Sequence, residues 1–228
     1  MLNFKNKPII GMIHLSGNYP IERAIEEIKI YEDFGIDGII VENYHAGVSD
    51  VIDVLSVIST KLEIGINILP NEYITAFSLA KQFNGSFIQL DYISGTYQRN
   101  KSLNLSEYMD VYKSSSVQVL GGVWPKYYTP TSNLDSDLTD AKERCNAIVV
   151  TGSGTGKITP LQKIKYFKNF IGDFPLIIGA GMSVDTIEYL NYADGAIVGS
   201  AFKKDNITSN MVDKYLVEKF MNAKNKIK

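Results

Sequence analysis

Eight short apolar runs recur along the chain, each followed by a polar turn and a stretch of helical periodicity. They are PIIGMIH (8–14), DGIIVEN (37–43), EIGINIL (63–69), SFIQLDY (86–92), VQVLGGVW (117–124), NAIVVTG (146–152), PLIIGAG (175–181) and DGAIVGS (194–200). The runs are rich in Ile and Val, and several are apolar on both faces, which predicts strands of a parallel sheet covered on both sides. Between them, 21–34 sets Ile21, Ala24, Ile25, Ile28 and Tyr31 on one stripe, and 72–83 does the same with Tyr73, Ala76, Phe77 and Ala80. Further helices are predicted over 48–61, 105–113, 135–144, 160–170, 184–191 and 211–223. The runs start about 20–31 residues apart, the length of a βα crossover unit. Strict alternation predicts an α/β fold, a single (β/α)8 TIM-barrel domain over 1–228. The rival is an open doubly wound sheet, which usually carries a Gly-rich turn after its first strand. Here that strand ends in His-Leu-Ser-Gly-Asn, and the Gly-rich turns follow strands six, seven and eight, which favours the barrel.

Composition narrows the chemistry. The 228 residues carry 23 Lys+Arg against 25 Asp+Glu, a net charge of −2, and 45% are hydrophobic, as in ordinary globular chains. Near-neutral charge and a pI near 5.8 give no electrostatic reason to expect a nucleic-acid partner. Apolar stretches such as PLIIGAGM (175–182) are far shorter than a membrane span needs. MLNFKNKPIIGMIHL places lysines before an apolar run, but the run is short and no small-residue cleavage site follows, so it reads as a first strand. One Cys, at 145, excludes an internal disulfide and makes a reducing cytoplasm the expectation. At the start of strand six, it is expected to be inert. Two His, at 14 and 45, exclude a His₃ zinc centre within one chain. A homo-oligomer is expected from the common habit of such chains.

In a TIM barrel the reactive groups sit at the C-terminal ends of the strands. The predicted strand ends carry His14, Glu42 and Asn43, Asn67, Gln89 and Asp91, Trp124 with Lys126, and Thr151. Imidazole, carboxylate, amide and ammonium groups converging there predict a binding or catalytic ring, although strand ends also meet solvent at no cost. His14 titrates near neutral pH and suits general acid or base work; His45 lies in the loop beyond. Glu42 follows an apolar IIV run, so its carboxylate needs a cation or a substrate. It could pair with Lys126, or share one Mg²⁺ with Asp91. Trp124 either stacks on a flat ring such as a base, beside Tyr127 and Tyr128, or packs against the helix layer.

The stretch TGSGTGK (151–157) looks like a P-loop and is not one. Thr151 stands where a Walker A motif needs Gly, and Ile158 where it needs Ser or Thr. Gly152, Gly154 and Gly156 permit close backbone approach, and Ser153, Thr155 and Lys157 supply hydroxyls and an ammonium, a combination suited to an oxyanion. IIGAGM (177–182) and IVGSAFKK (197–204) place Gly179, Gly181, Gly199 and Ser200, with Lys203 or Lys204 nearby, where barrel loops often bind phosphate. Tight turns without a ligand are the alternative.

KPIIGMIHL, DGIIVEN, GINIL-N, IVVTGSGTGK and ADGAIVGSAFKKD together resemble the BtpA (BtpA/SgcQ) family, almost end to end from Lys7 to Asp205. The resemblance implies a phosphate-binding type of TIM barrel and fixes the reaction poorly. The family takes its name from photosystem I accumulation, and other members sit near sugar-uptake genes. Departures fall at the site. The Pro-rich loop after strand one is reduced to SGNYP (16–20), and Pro70 precedes Asn71 where the family has Arg. Gln89 and Asp91 replace an Arg and an Asn. V-H-V-K-H becomes Val123-Trp124-Pro125-Lys126-Tyr127, keeping the Lys and losing both His. Loss of the strand-four Arg removes a bidentate anion clamp, so substrate or activity is expected to differ.

The sequence thus predicts an enzyme acting on a phosphorylated small molecule, a sugar phosphate or a nucleotide, by isomerase, lyase or glycosyl-bond chemistry. His14 and Glu42 would move protons, Asp91 would orient a hydroxyl or a metal, and Lys126 would neutralise developing charge. Asn43, Asn67, Gln89, Trp124, Thr151 and Lys157 would bind substrate, and positive charge would gather around Lys126, Lys157 and Lys203. The alternative is a non-catalytic ligand-binding or complex-assembly protein of the BtpA type, in photosystem or membrane-complex biogenesis.

Overall fold

The computed structural model describes residues 1–227. Eight parallel strands close into one barrel: β1 (Ile9–Ile13), β2 (Gly38–Glu42), β3 (Glu63–Asn67), β4 (Phe87–Leu90), β5 (Gln118–Gly122), β6 (Ala147–Val150), β7 (Leu176–Ile178) and β8 (Ala196–Val198). Each pairs with its sequence neighbour, and β8 returns to β1 through Ile9–Ala196, Ile10–Ile197 and Gly11–Val198. The predicted barrel is the observed one, with strands one to three residues shorter than the apolar runs at one or both ends.

Alternation along each strand divides the core in two. Ile10, Met12, Ile40, Phe87, Leu120, Ala147, Val149, Ile177 and Ile197 pack together inside the barrel. Their neighbours Ile9, Ile13, Ile39, Val41, Ile66, Ile88, Val119, Ile148 and Ile178 face the helices. Gly65 makes room for Phe87, whose ring a Cβ there would meet at 2.2 Å. The same two-residue step aims the next inward position of each strand at the C-terminal mouth: His14, Glu42, Asn67, Gln89 with Asp91, Gly122, Thr151, Gly179 and Gly199.

The outer layer holds α1 (Pro20–Asp33), α2 (Val48–Val57), α3 (Tyr73–Gln82), α4 (Leu105–Ser114), α5 (Leu134–Lys142), α6 (Leu161–Ile171) and α7 (Lys214–Lys224). The helix predicted over 184–191 is corrected: Val184–Tyr192 is a 3-10 helix. Its predecessor β7 spans only Leu176–Ile178, and the tighter winding fits a short crossover. Periodicity also missed an antiparallel ribbon, Thr96–Tyr97 with Lys101–Ser102, inserted between β4 and α4. Cys145 is buried just before β6, and burial pushes its thiol up to about 12, so it is inert. No helix among the described residues is long and apolar enough to cross a membrane.

Candidate active site

The mouth of the barrel opens into a two-lobed cleft. A small lobe of about 50 Å³ lies under the loops after β6, β7 and β8, and its wall includes His14, Thr155, Gly156, Gly181, Gly199 and Ser200. A larger lobe of about 260 Å³ lies against the β2 to β5 ends and includes Asp91, Lys101, Pro125, Tyr127, Tyr128 and Thr151. Glu42, Tyr44, Gln89, Lys126 and Gly179 line both lobes. A wider groove of about 620 Å³ between α3 and α4 has no carboxylate or imidazole in its wall, so the chemistry belongs to the cleft.

Glu42 and His14 sit side by side at its floor, 6% and 4% exposed. His14 Nε2 is 3.9 Å from Glu42 Oε2, too far for a hydrogen bond. Asn67 Nδ2 donates to Glu42 Oε1 at 2.6 Å and fixes the carboxyl. Burial dominates both titrations. It raises Glu42 to about 7 against the opposing pull of Lys126, with Asp91 adding to the rise. It drives His14 well below its ordinary value, aided by the positive charges of Lys203, His45 and Lys126. The pair is therefore a neutral imidazole beside a carboxyl that titrates near neutrality, not an ion pair. His14 Nδ1 and Asn67 Oδ1 are buried with no partner among the described residues.

Lys126 does not pair with Glu42. Its Nζ donates to Thr155 Oγ1 at 3.1 Å, and its N–H donates to Thr151 Oγ1 at 2.8 Å. Thr155 also meets the hydroxyls of Tyr127 (3.1 Å) and Tyr44 (3.4 Å), and its N–H donates to Tyr127 at 2.9 Å. Thr155 thus ties the Gly-rich loop to the loops after β2 and β5 across the cleft. Asp91 accepts from the Tyr128 hydroxyl at 2.9 Å, and burial raises its pKa against that bond and the charges of Lys126 and Lys101.

The β6 and β7 loops touch backbone to backbone. A Cβ on Gly181 would meet Lys157 O and Ile158 Cα at 2.3 Å, and Gly181 has φ +72. Gly181→Ala is therefore expected to destabilise the chain by about 1–3 kcal/mol. Urea unfolding measures it; a change below about 0.5 kcal/mol would show that the two loops are free to part.

Several predicted site residues lie elsewhere. Trp124 does not line the cleft. The chain leaves β5 with φ +49 at Trp124, and the indole packs on the helix layer, its Nε1 donating to Asp137 Oδ2 at 2.8 Å. Asn43 is turned to the β3 loop, accepting from Leu69 N–H at 2.8 Å. Gly152, Ser153, Gly154 and Lys157 shape the loop without lining either lobe; a Cβ on Gly152 would strike Ile158 O at 2.8 Å. Lys203 is corrected most sharply. It is fully buried and donates to Glu27 at 2.9 Å, so its charge is already matched away from any phosphate, while Lys204 is exposed and lines neither lobe. Around Glu42 and Asp91, the two carboxylates that could share a Mg²⁺, no group of three His, Cys, Asp or Glu side chains placed to hold a metal ion occurs among the described residues, and burial favours the proton on both.

The sequence reading missed Tyr44, Lys101 and Lys163. Tyr44 directly follows Asn43 and packs on His14, ring centroids 5.3 Å apart. Lys101 comes from the unforeseen ribbon. Lys163, on α6, donates to the carbonyls of Trp124 (3.0 Å) and Thr151 (2.9 Å), and burial lowers it to about 8. It ties the β5 loop to the β6 loop; its position in the first turn of a helix gave no such signal.

The model of the BtpA family matches residues 5–226. A protein of Methanocaldococcus jannaschii is 30% identical over 256 residues, covering 99% of this chain and 98% of its own. The photosystem I biogenesis protein BtpA of Synechocystis is 29% identical over 252 residues, covering 96% of this chain and 88% of its own. Among solved structures, tryptophan synthase of Mycobacterium tuberculosis superposes with a TM-score of 0.69 at 13% identity, covering 96% of this chain and 93% of that one. N-(5'-phosphoribosyl)anthranilate isomerase of Pyrococcus furiosus gives a TM-score of 0.64 at 13% identity, covering 97% of this chain and 100% of that one. Those two likenesses establish the TIM-barrel fold.

Proposed function

The chain belongs to the BtpA family, and from that premise we propose that it is an enzyme acting by acid/base chemistry on a phosphorylated small molecule, a sugar phosphate or a nucleotide. The observation that carries the reading is Glu42, a buried carboxyl raised to about 7 in the floor of a cleft, with a neutral imidazole beside it. A group that titrates at working pH both gives and takes a proton efficiently. Burial of a carboxyl without an ion-pair partner costs stability, and chemistry is the ordinary reason to keep one.

The small lobe supplies the anion site. Gly179, Gly181 and Gly199 bring main chain to its wall, and Ser200, Thr155 and Lys126 add polar groups. A phosphate there would draw the Lys126 ammonium from Thr155 and place the rest of the molecule over Glu42 and His14. Glu42 would move a proton at the reacting carbon or oxygen, His14 would relay or steady it, and Lys126 would neutralise developing negative charge. Isomerisation, elimination and glycosyl-bond cleavage all use such a set. The name of the Synechocystis relative favours a second reading, a non-catalytic protein of complex assembly.

A thermal-shift panel of sugar phosphates and nucleotides tests the proposal. A ligand held at a hundredfold over its Kd is expected to add about 2.7 kcal/mol to stability. Turnover of that ligand supports the enzyme, and its recovery unchanged supports the assembly reading. If neither the panel nor inorganic phosphate raises the Tm, the anion site is wrong.

A further inference from the structure

The β4 side of the cleft carries acceptors that the protein leaves without donors, and they select a substrate class. In the small lobe Lys126, Ser200 and Thr155 can all donate. The wall that β4 builds carries two such acceptors, Gln89 between the lobes and Asp91 in the large one. Gln89 and Asp91 stand two residues apart on the inward face that Phe87 begins. Gln89 Oε1 is buried and has no partner. Asp91 uses Oδ2 to accept from Tyr128, and Oδ1 has no protein donor among the described residues. An unpaired buried acceptor costs free energy until a donor reaches it. The ligand therefore brings donors to this wall.

Tyr128 and Tyr44, two of the three tyrosines that line the lobe, are already packed against protein rings. Tyr128 packs edge-on against Tyr92 and Tyr97, at 5.3 and 5.6 Å, and Lys101 Nζ lies 5.2 Å from its ring centroid. Tyr44 is packed between His14 and His45. Trp124 is turned to Asp137. Tyr127 is 70% exposed and so makes a poor sandwich for a base.

We infer that the substrate is a sugar phosphate with at least two free hydroxyls, its phosphate in the small lobe and its hydroxyls on Gln89 and Asp91, and that a nucleotide base is not accommodated. This rests on the anion site proposed above and goes beyond it by choosing the organic half. Gln89 and Asp91 are then specificity residues.

Calorimetric titration of the full chain with inorganic phosphate, butyl phosphate, ribose 5-phosphate and adenosine monophosphate tests the inference. Ribose 5-phosphate is expected to bind at least tenfold tighter than butyl phosphate, which has the phosphate and no hydroxyl, and tighter than adenosine monophosphate. In Gln89→Leu and Asp91→Asn that preference is expected to fall below about threefold, near the scale of one lost neutral hydrogen bond, with inorganic phosphate binding unchanged in Asp91→Asn, whose side chain lines the large lobe alone. Equal affinity for butyl phosphate and ribose 5-phosphate in the unaltered protein overturns the inference while leaving the anion site standing. So does tighter binding of adenosine monophosphate, or a preference that survives both substitutions. Absence of binding by all four overturns the inference and the anion site together. The unaltered protein decides the matter even where a variant fails to fold.

Discussion

Glu27→Ala is expected to destabilise the protein by about 3–5 kcal/mol, because it leaves a buried ammonium without a counter-charge. Glu27 is 1% exposed and Lys203 fully buried. Glu27 Oε1 accepts from Lys203 Nζ at 2.9 Å, Arg23 Nε at 3.0 Å and the Val212 N–H at 3.1 Å. Arg23 continues the network to the carbonyls of Ser16, Ser209 and Asn210. One carboxylate thus holds together α1, the loop after β1 that follows His14, and the 203–212 segment that follows Ser200. Burial already lowers the Lys203 pKa, with Glu27 opposing it. Without Glu27 the amine is expected to shed its proton or draw in water, and the segment loosens. Chemical denaturation of Glu27→Ala beside the double variant Glu27→Leu/Lys203→Met separates the causes. The double variant removes the buried ammonium together with its partner, leaves Arg23 on its carbonyl acceptors, and is expected to recover part of the loss. A loss below about 1 kcal/mol in Glu27→Ala would mean that the ion pair holds nothing in place.

The same residues show how far the sequence could be read. The runs of Ile and Val fixed strand number and order, because a strand buried on both faces has little choice of composition. Inward alternation then delivered His14, Glu42, Asn67, Gln89, Asp91 and Thr151, since parity persists for one step past the last paired residue. It failed at Trp124, where β5 ends at Gly122 and a positive φ turns the next inward position away. Lys203 failed for a different reason. Its partner Glu27 is 176 positions away, and no local pattern ties the two together. A signal did exist on α1. Glu27 falls among Ala24, Ile28 and Tyr31 at helical spacing, so a carboxylate stood on the apolar stripe and asked for a buried cation. The Gly-rich loop was legible as a close-approach element. Only the fold shows that Thr155 alone reaches Lys126, Tyr127 and Tyr44, because those contacts join loops from three strands.

Glu42→Gln is expected to raise stability and lower turnover, and pH separates the two effects. Burial raises the folded-state pKa of Glu42 from 4.5 to about 7. Between those values the folded chain keeps a proton that the unfolded chain releases, so stability falls as pH rises through the window, by about 3 kcal/mol in all. Gln is neutral at every pH, and its amide oxygen can still accept from Asn67. The variant is therefore expected to match the unaltered protein near pH 4.5 and to exceed it by up to about 3 kcal/mol at pH 8. His14 acts with the opposite sign. Its pKa is lowered well below 6.5, so stability is lost as pH falls below 6.5, and that slope should persist in the variant. The isolated contribution of Glu42 is thus clearest near pH 8, where His14 is neutral in both states. Turnover of whatever phosphorylated ligand the chain converts should drop about 10²- to 10⁴-fold, because Gln cannot exchange the proton. A gain in stability paired with a loss of chemistry marks a group kept for reaction rather than for folding. Urea unfolding at pH 5 and pH 8 reads the first half without any substrate. If Glu42→Gln proves less stable than the unaltered protein at pH 8, Glu42 is ionised and paired with Lys126 or His14, and the acid/base proposal loses its central group.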